Sequence, residues 1–158
     1  EMFAQDIFDL APLGARIGFS DGSPRPPDRF RRKLVAWEND NGVGRLTAKQ
    51  PARLMGSYQS PAGFDLHLGD YGSQGVTIIV ITRYYQVTSR LDFEILELPQ
   101  PGMVRVVTVY QGAAELRHLA SDMAAAQRWA ENNRYSDMRF DVVTQAEAGR
   151  FTAMRRAA

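Results

Sequence analysis

GVTIIVITRYYQV, residues 75–87, contains the longest strongly apolar run in the chain, Val76 to Ile81. Six apolar or β-branched residues in a row, with no polar alternation, predict a β-strand covered on both faces and central to its sheet. The run is far too short to cross a bilayer as a helix. Tyr84 and Tyr85 follow Arg83 and, as neighbours on a strand, point to opposite faces. One is therefore expected in the core, and at most one is left to stack against a base.

Moving outward, 43–49 (VGRLTAK), 63–68 (GFDLHL), 91–98 (LDFEILEL) and 103–110 (MVRVVTVY) also read as strands. Residues 15–20 (ARIGFS) and 115–119 (ELRHL) add two shorter ones, and Pro99-Gln-Pro-Gly102 supplies a turn. In 91–98 the acids Asp92 and Glu94 alternate with Leu91, Phe93 and Ile95. That is the pattern of a half-buried strand with its polar side in water rather than a pair of catalytic carboxylates. Between strands, HLGDYGSQG (67–75) reads as a wide hairpin loop whose glycines accept positive φ.

Helices bracket this β region. Ser121 or Asp122 caps a helix over Met123–Ala130 that ends near Asn132-Asn133, with Met123, Ala126, Gln127 and Ala130 on one face and Trp129 beside it. MRFDVV (138–143) is a last strand, and QAEAGRFTAMRRAA forms a terminal helix that frays. Near the other end, SPRPPDR (23–29) is a stiff connector. A helix starts at Pro27 or Asp28, carries Phe30, Leu34 and Trp37 as a core-facing stripe, and stops at Asn41-Gly42. The expected fold is one α+β domain: an antiparallel or mixed sheet of about five to seven strands with two or three helices packed on it. Residues 1–14 and 152–158 show the weakest packing signals and are expected to be loosely ordered.

Composition narrows function mainly by exclusion. The chain has 158 residues, no cysteine and a formal net charge of +1. Thiolate chemistry and cysteine metal sites are excluded, and no whole-molecule field draws it to a polyanion. There are 17 arginines and two lysines, a skew that a GC-rich bacterial genome explains more economically than function. The N-terminal residues lack a basic start and an apolar core, so no signal peptide is read there. A soluble, cytoplasmic protein without membrane contact is expected.

Three function classes remain. The first is a non-catalytic binding or regulatory accessory protein, its partner a nucleic acid or another protein. Its candidate patch is Arg25, Arg29, Arg32 and Lys33 within SPRPPDRFRRK, where cations on one helical flank suit phosphates. Those cations oppose the helix dipole at an N-terminus, a cost more easily understood if they are used. The second is a small hydrolase or ligand-binding protein in which His67, Asp70 and Ser73 line a pocket. Their three-residue spacing lies between strands and lacks G-x-S-x-G, which weakens a nucleophilic reading. The third is a structural protein that self-associates through a sheet edge. The two histidines, His67 and His118, are 51 positions apart, with no local ligand pair, so no metal and no cofactor is expected.

Overall fold

The computed structural model describes residues 2–73 and 76–157, with the backbone alone at 70–73, 76–79, 155 and 157. In chain order the elements are α1 (Ala4–Leu10), β1 (Arg16–Ser20), α2 (Arg31–Asp40), β2 (Gly42–Gln50), β3 (Arg53–Met55), β4 (Tyr58–Ser60), β5 (Gly63–Ser73), β6 (Val76–Gln86), β7 (Asp92–Glu97), β8 (Val104–Tyr110), β9 (Ala113–Ala120), α3 (Met123–Asn132), β10 (Met138–Val142) and α4 (Gln145–Ala157). The architecture is α+β and every strand pairing is antiparallel. Among the described residues the main sheet has eight strands, more than the five to seven expected, and there are four helices rather than two or three.

The sheet is organised around β2. One half runs β7-β1-β2-β5-β6, and the other runs β9-β8-β10, joining β2 through the pair Ala48 and Glu115. Each half has its own core. Under α1, Ile17, Phe19, Leu46, Phe64 and Leu66 meet the rings of Tyr85 and Phe93, whose centroids are 5.6 Å apart in an edge-to-face arrangement. Under α3, Val104 and Val106 pack with Ala120 and Ala126, flanked by Trp129 and Met138. As the alternation in 91–98 requires, Phe93 and Ile95 are buried while Asp92 and Glu94 are exposed.

The N-terminal segment binds the two halves together, although the sequence offered it little packing signal. Ala4 and Ile7 of α1 are fully buried. Met2 and Phe93 exchange two backbone hydrogen bonds of 2.9 Å. Gly14 (φ +96°) turns the chain back, so that its N–H donates to Leu46 O at 2.8 Å. The Arg105 Nε–H donates to Leu13 O at 2.7 Å, joining this segment to the second half.

Several expectations need correction. The Val76–Ile81 run belongs to an edge strand, because among the described residues β6 pairs with β5 alone. Only the part of β5 up to His67 is matched by β2, so the β5–β6 ribbon runs on as a two-stranded arm. HLGDYGSQG is mostly strand rather than loop, since β5 continues to Ser73. Its register slips between His67 and Gly69 and again between Tyr71 and Gly72, so these glycines mark bulges, where a strand tolerates them. Gln74 and Gly75 lie outside the described residues.

The second group of corrections concerns α2, which starts at Arg31 rather than Pro27 or Asp28. The Pro26-Pro27 pair holds the chain extended, a turn closes from Phe30 N–H to Pro27 O at 3.0 Å, and Phe30 becomes the N-cap. No residue of α2 is buried, and Phe30 is 42 % exposed, so the stripe Phe30–Leu34–Trp37 does not enter the core. The helix is held by polar bonds instead. Asn41 at its C-cap accepts from Ser20 Oγ (2.8 Å) and Asp21 N–H (3.2 Å). It donates to Asp21 Oδ1 (3.0 Å) and Trp37 O (2.9 Å). The helix α3 agrees with its sequence reading, with the Asp122 carboxylate accepting from Ala125 N–H at 2.8 Å.

Candidate functional site

Among the described residues, a cleft of about 700 Å³ opens on the sheet face turned away from α1. Its floor follows from register. Arg16 pairs with Arg45, Arg45 with His67, and His67 with Thr82, so four neighbouring strands align polar residues in one row. Leu46, Leu66 and Tyr85 point the other way, into the core, because successive strand residues alternate between faces. The polar row and the hydrophobic core are thus two sides of the same strands.

The wall comes from β9 and the end of α3. The His118 and Trp129 rings are stacked at 4.9 Å, their planes 1° apart, and Trp129 continues to Tyr135 at 6.2 Å and 7°. The Arg117 guanidinium lies 4.6 Å from the Tyr135 centroid, a cation–π contact. Arg117 also donates from Nε to Thr108 Oγ1 (3.0 Å) and pairs with Glu115 at 2.5 Å. Asn133 is held by its side-chain donation to Trp129 O at 2.9 Å, which closes the helix where the aromatic ladder begins.

Electrostatically the described lining holds one ion pair, Arg117 with Glu115, and one further guanidinium, Arg45. Arg45 commits Nη1, which carries two of its five N–H groups, to Gly14 O at 2.6 Å. Burial pushes its pKa down, opposed by Glu97, yet a guanidinium stays charged. Burial, aided by the Arg45 charge, lowers the His118 pKa below the ordinary histidine range. His118 is therefore a neutral ring at pH 7, suited to stacking and hydrogen bonding. Among the described residues no group of three or more His, Asp or Glu side chains is placed to hold a metal ion.

The residues singled out in sequence are distributed differently. His67 lies in the cleft, but Asp70 and Ser73 are three and six residues further along β5, and their side chains lie outside the described ones. Six strand residues span roughly 20 Å, so His67 and Ser73 do not meet. In the basic patch, Arg25 pairs with Asp28 at 2.7 Å. Arg29 precedes α2 instead of riding on it. Arg29 and Lys33 converge on the Phe30 ring, at 4.8 and 5.3 Å from its centroid, while Arg32 is exposed on the first turn. On β6, Thr82 faces the cleft, whereas Arg83 donates to Asn39 of α2 from the opposite face (Nη2 to Oδ1, 3.2 Å). The patch and the cleft are therefore on opposite sides of the ribbon.

Arg45, Arg117, His118, Trp129 and Tyr135 were not flagged by motif. Their signal lies in the charged alternation of ELRHL and in two aromatics flanking the Asn132-Asn133 helix stop. Tyr84 and Tyr85 do divide as alternation demands, Tyr85 in the core and Tyr84 at the surface, its hydroxyl donating to Pro61 O at 3.3 Å. Among the described residues no helix is long and apolar enough to cross a membrane.

No curated protein and no solved structure matches the chain. A family model does match, over residues 2–147, which covers α1 through the start of α4 and includes every residue of the cleft. The chain belongs to the family described as uncharacterised conserved protein UCP036055.

Proposed function

We propose that this chain is a small non-catalytic binding protein, an accessory or regulatory factor of the cytoplasm, whose partner is a nucleic acid seated in the cleft. One observation carries the reading: two guanidiniums, Arg45 and Arg117, share a single concavity with three nearly parallel rings. Cations that pair with phosphates, beside flat rings that stack on bases, are the two elements of single-strand and RNA recognition. Catalysis is the weaker reading because His67 is separated from Ser73 and Glu115, the carboxylate among the cleft's described lining residues, is paired with Arg117, a pair that a bound phosphate must share or displace. A local patch also suits a chain whose net charge is only +1.

The test is fluorescence anisotropy of a labelled oligonucleotide titrated with the full chain at several salt concentrations. Affinity should fall linearly on a log–log plot, and Arg117→Ala should reduce the slope by about 1, the share of one phosphate contact. A chain that binds no nucleic acid at low salt, while a protein partner from its host competes for the cleft, would overturn the reading.

A further inference from the structure

We infer that the cleft takes its partner as an unpaired strand, with one base laid against the ring ladder at Tyr135 and the adjoining phosphate on Arg117. This rests on the nucleic-acid reading above and specifies the form of the ligand. Duplex readers project a helix or ribbon outward into a groove. Here the rings and cations line a concavity instead, which suits a ligand that itself projects inward, as a splayed-out base does. A volume of about 700 Å³ falls in the range of pockets that enclose small organic ligands, a range that takes in a single splayed-out base.

The ladder has a direction. His118 and Trp129 are its inner rungs, braced by α3 and β9, and their near-parallel planes give one stacking axis. Tyr135, the outer rung, is 46 % exposed and lies on the segment after α3. The Arg117 guanidinium lies over this ring, 4.6 Å from its centroid, so a base entering here meets a ring and a guanidinium plane together, both of them stacking surfaces, with the cation at hand for the adjoining phosphate. From there the row Arg45–His67–Thr82 leads across the floor, so the next sugar-phosphate units follow residues on three neighbouring strands. The ladder is indifferent to base identity, because every base has a π face. The expected ligand is therefore single-stranded DNA or RNA with little sequence preference.

The experiment uses the full chain with Trp37→Phe, so that emission reports Trp129 alone. Four probes of one length are compared: single-stranded DNA, single-stranded RNA, the corresponding DNA duplex, and a DNA strand of abasic sites. Single strands should quench Trp129 and bind roughly ten- to a hundredfold tighter than the duplex or the abasic strand, the contribution of one stacked base. Tyr135→Leu should lose that preference and Tyr135→Phe should keep it. The abasic arm needs no variant and so tests stacking even if Tyr135→Leu fails to fold. Equal binding of duplex, abasic and single strands without change in Trp129 emission would overturn this inference and leave the nucleic-acid reading standing. Binding of none of the four would overturn both. A preference between DNA and RNA single strands decides which of the two is the partner, through the 2′-hydroxyl.

Discussion

The imidazole of His118 lies flat against the indole of Trp129, 4.9 Å between centroids and 1° from parallel. Such a contact joins the first strand of the second half-sheet to the helix that covers it, and it places a titratable ring on the boundary between core and cleft. From β2, Arg45 faces His118, which adds repulsion to burial in disfavouring the imidazolium.

That arrangement makes stability depend on pH in a defined sense. The folded pKa of His118 is lowered, so between it and the unfolded value, about 6.5, the unfolded chain binds more protons. Stability therefore falls as pH drops through this window, and the loss is complete below the folded pKa. The urea midpoint should decrease on acidification from about pH 7.5 to about pH 5, and His118→Gln should flatten that dependence. An unchanged slope in His118→Gln would place the titration elsewhere.

Arg105 presents a buried ion cluster with a clear structural task. Its side chain is only 5 % exposed. It donates to Leu13 O, Asp141 (3.1 Å) and both oxygens of Glu147, so one guanidinium ties the N-terminal segment, β10 and α4 together. Arg105→Ala leaves Glu147 largely buried without its cation, and the expected loss is about 3–5 kcal/mol in urea unfolding. Limited proteolysis should show α4 cleaved first in that variant. Arg105→Met, which fills the volume without a charge, combined with Glu147→Leu, should recover much of the loss.

Asn41 satisfies both donors and both acceptor positions of its amide, through Ser20, Asp21 and Trp37. Since α2 has no buried residue, this amide, the Arg83–Asn39 bonds and the donation from Trp37 Nε1 to Ser23 O (3.0 Å) attach it. Asn41→Ala should cost about 1–3 kcal/mol, with amide exchange in α2 accelerated before exchange elsewhere. Uniform acceleration across the chain would show that α2 is anchored by other means.

The cations around α2 test the alternative location of binding. Arg29, Arg32 and Lys33 changed together to Glu should shift unfolding stability by no more than about 0.5 kcal/mol, as they touch no core residue and acids suit a helix start. Single-strand binding should survive, weakened only in its salt-sensitive part, because the cleft lies on the other face of β6. Complete loss of binding would move the site from the cleft to the Arg29–Phe30–Lys33 cluster.

Local pattern was legible wherever one segment's chemistry settles its own state. A cap at Ser121 or Asp122, the alternation of Asp92 and Glu94 with Phe93 and Ile95, and the split of Tyr84 from Tyr85 all follow from spacing alone, and the structure chooses Asp122 for the cap. The basic patch was legible as a cluster of charge but not as a surface. Two prolines delay the helix by a turn, which puts Arg29 outside it and gathers Arg29 and Lys33 onto Phe30. The apolar run of β6 misled because hydrophobicity reports burial or interaction, not position in a sheet, and Val80 is 59 % exposed at the cleft edge.

By itself, then, the amino-acid sequence determined an α+β chain, a capped helix before the last strand, and no cysteine chemistry, and left the sheet antiparallel or mixed. Those properties depend on residues within a few positions of one another. Tertiary structure alone decided that β2 would serve two half-sheets, that β6 would stand at an edge, and that Arg45, His67 and Thr82 would align beside the His118–Trp129–Tyr135 ladder. Register between strands sets each of these, and register is a global compromise among turns, bulges and two cores that no single stretch of chain encodes.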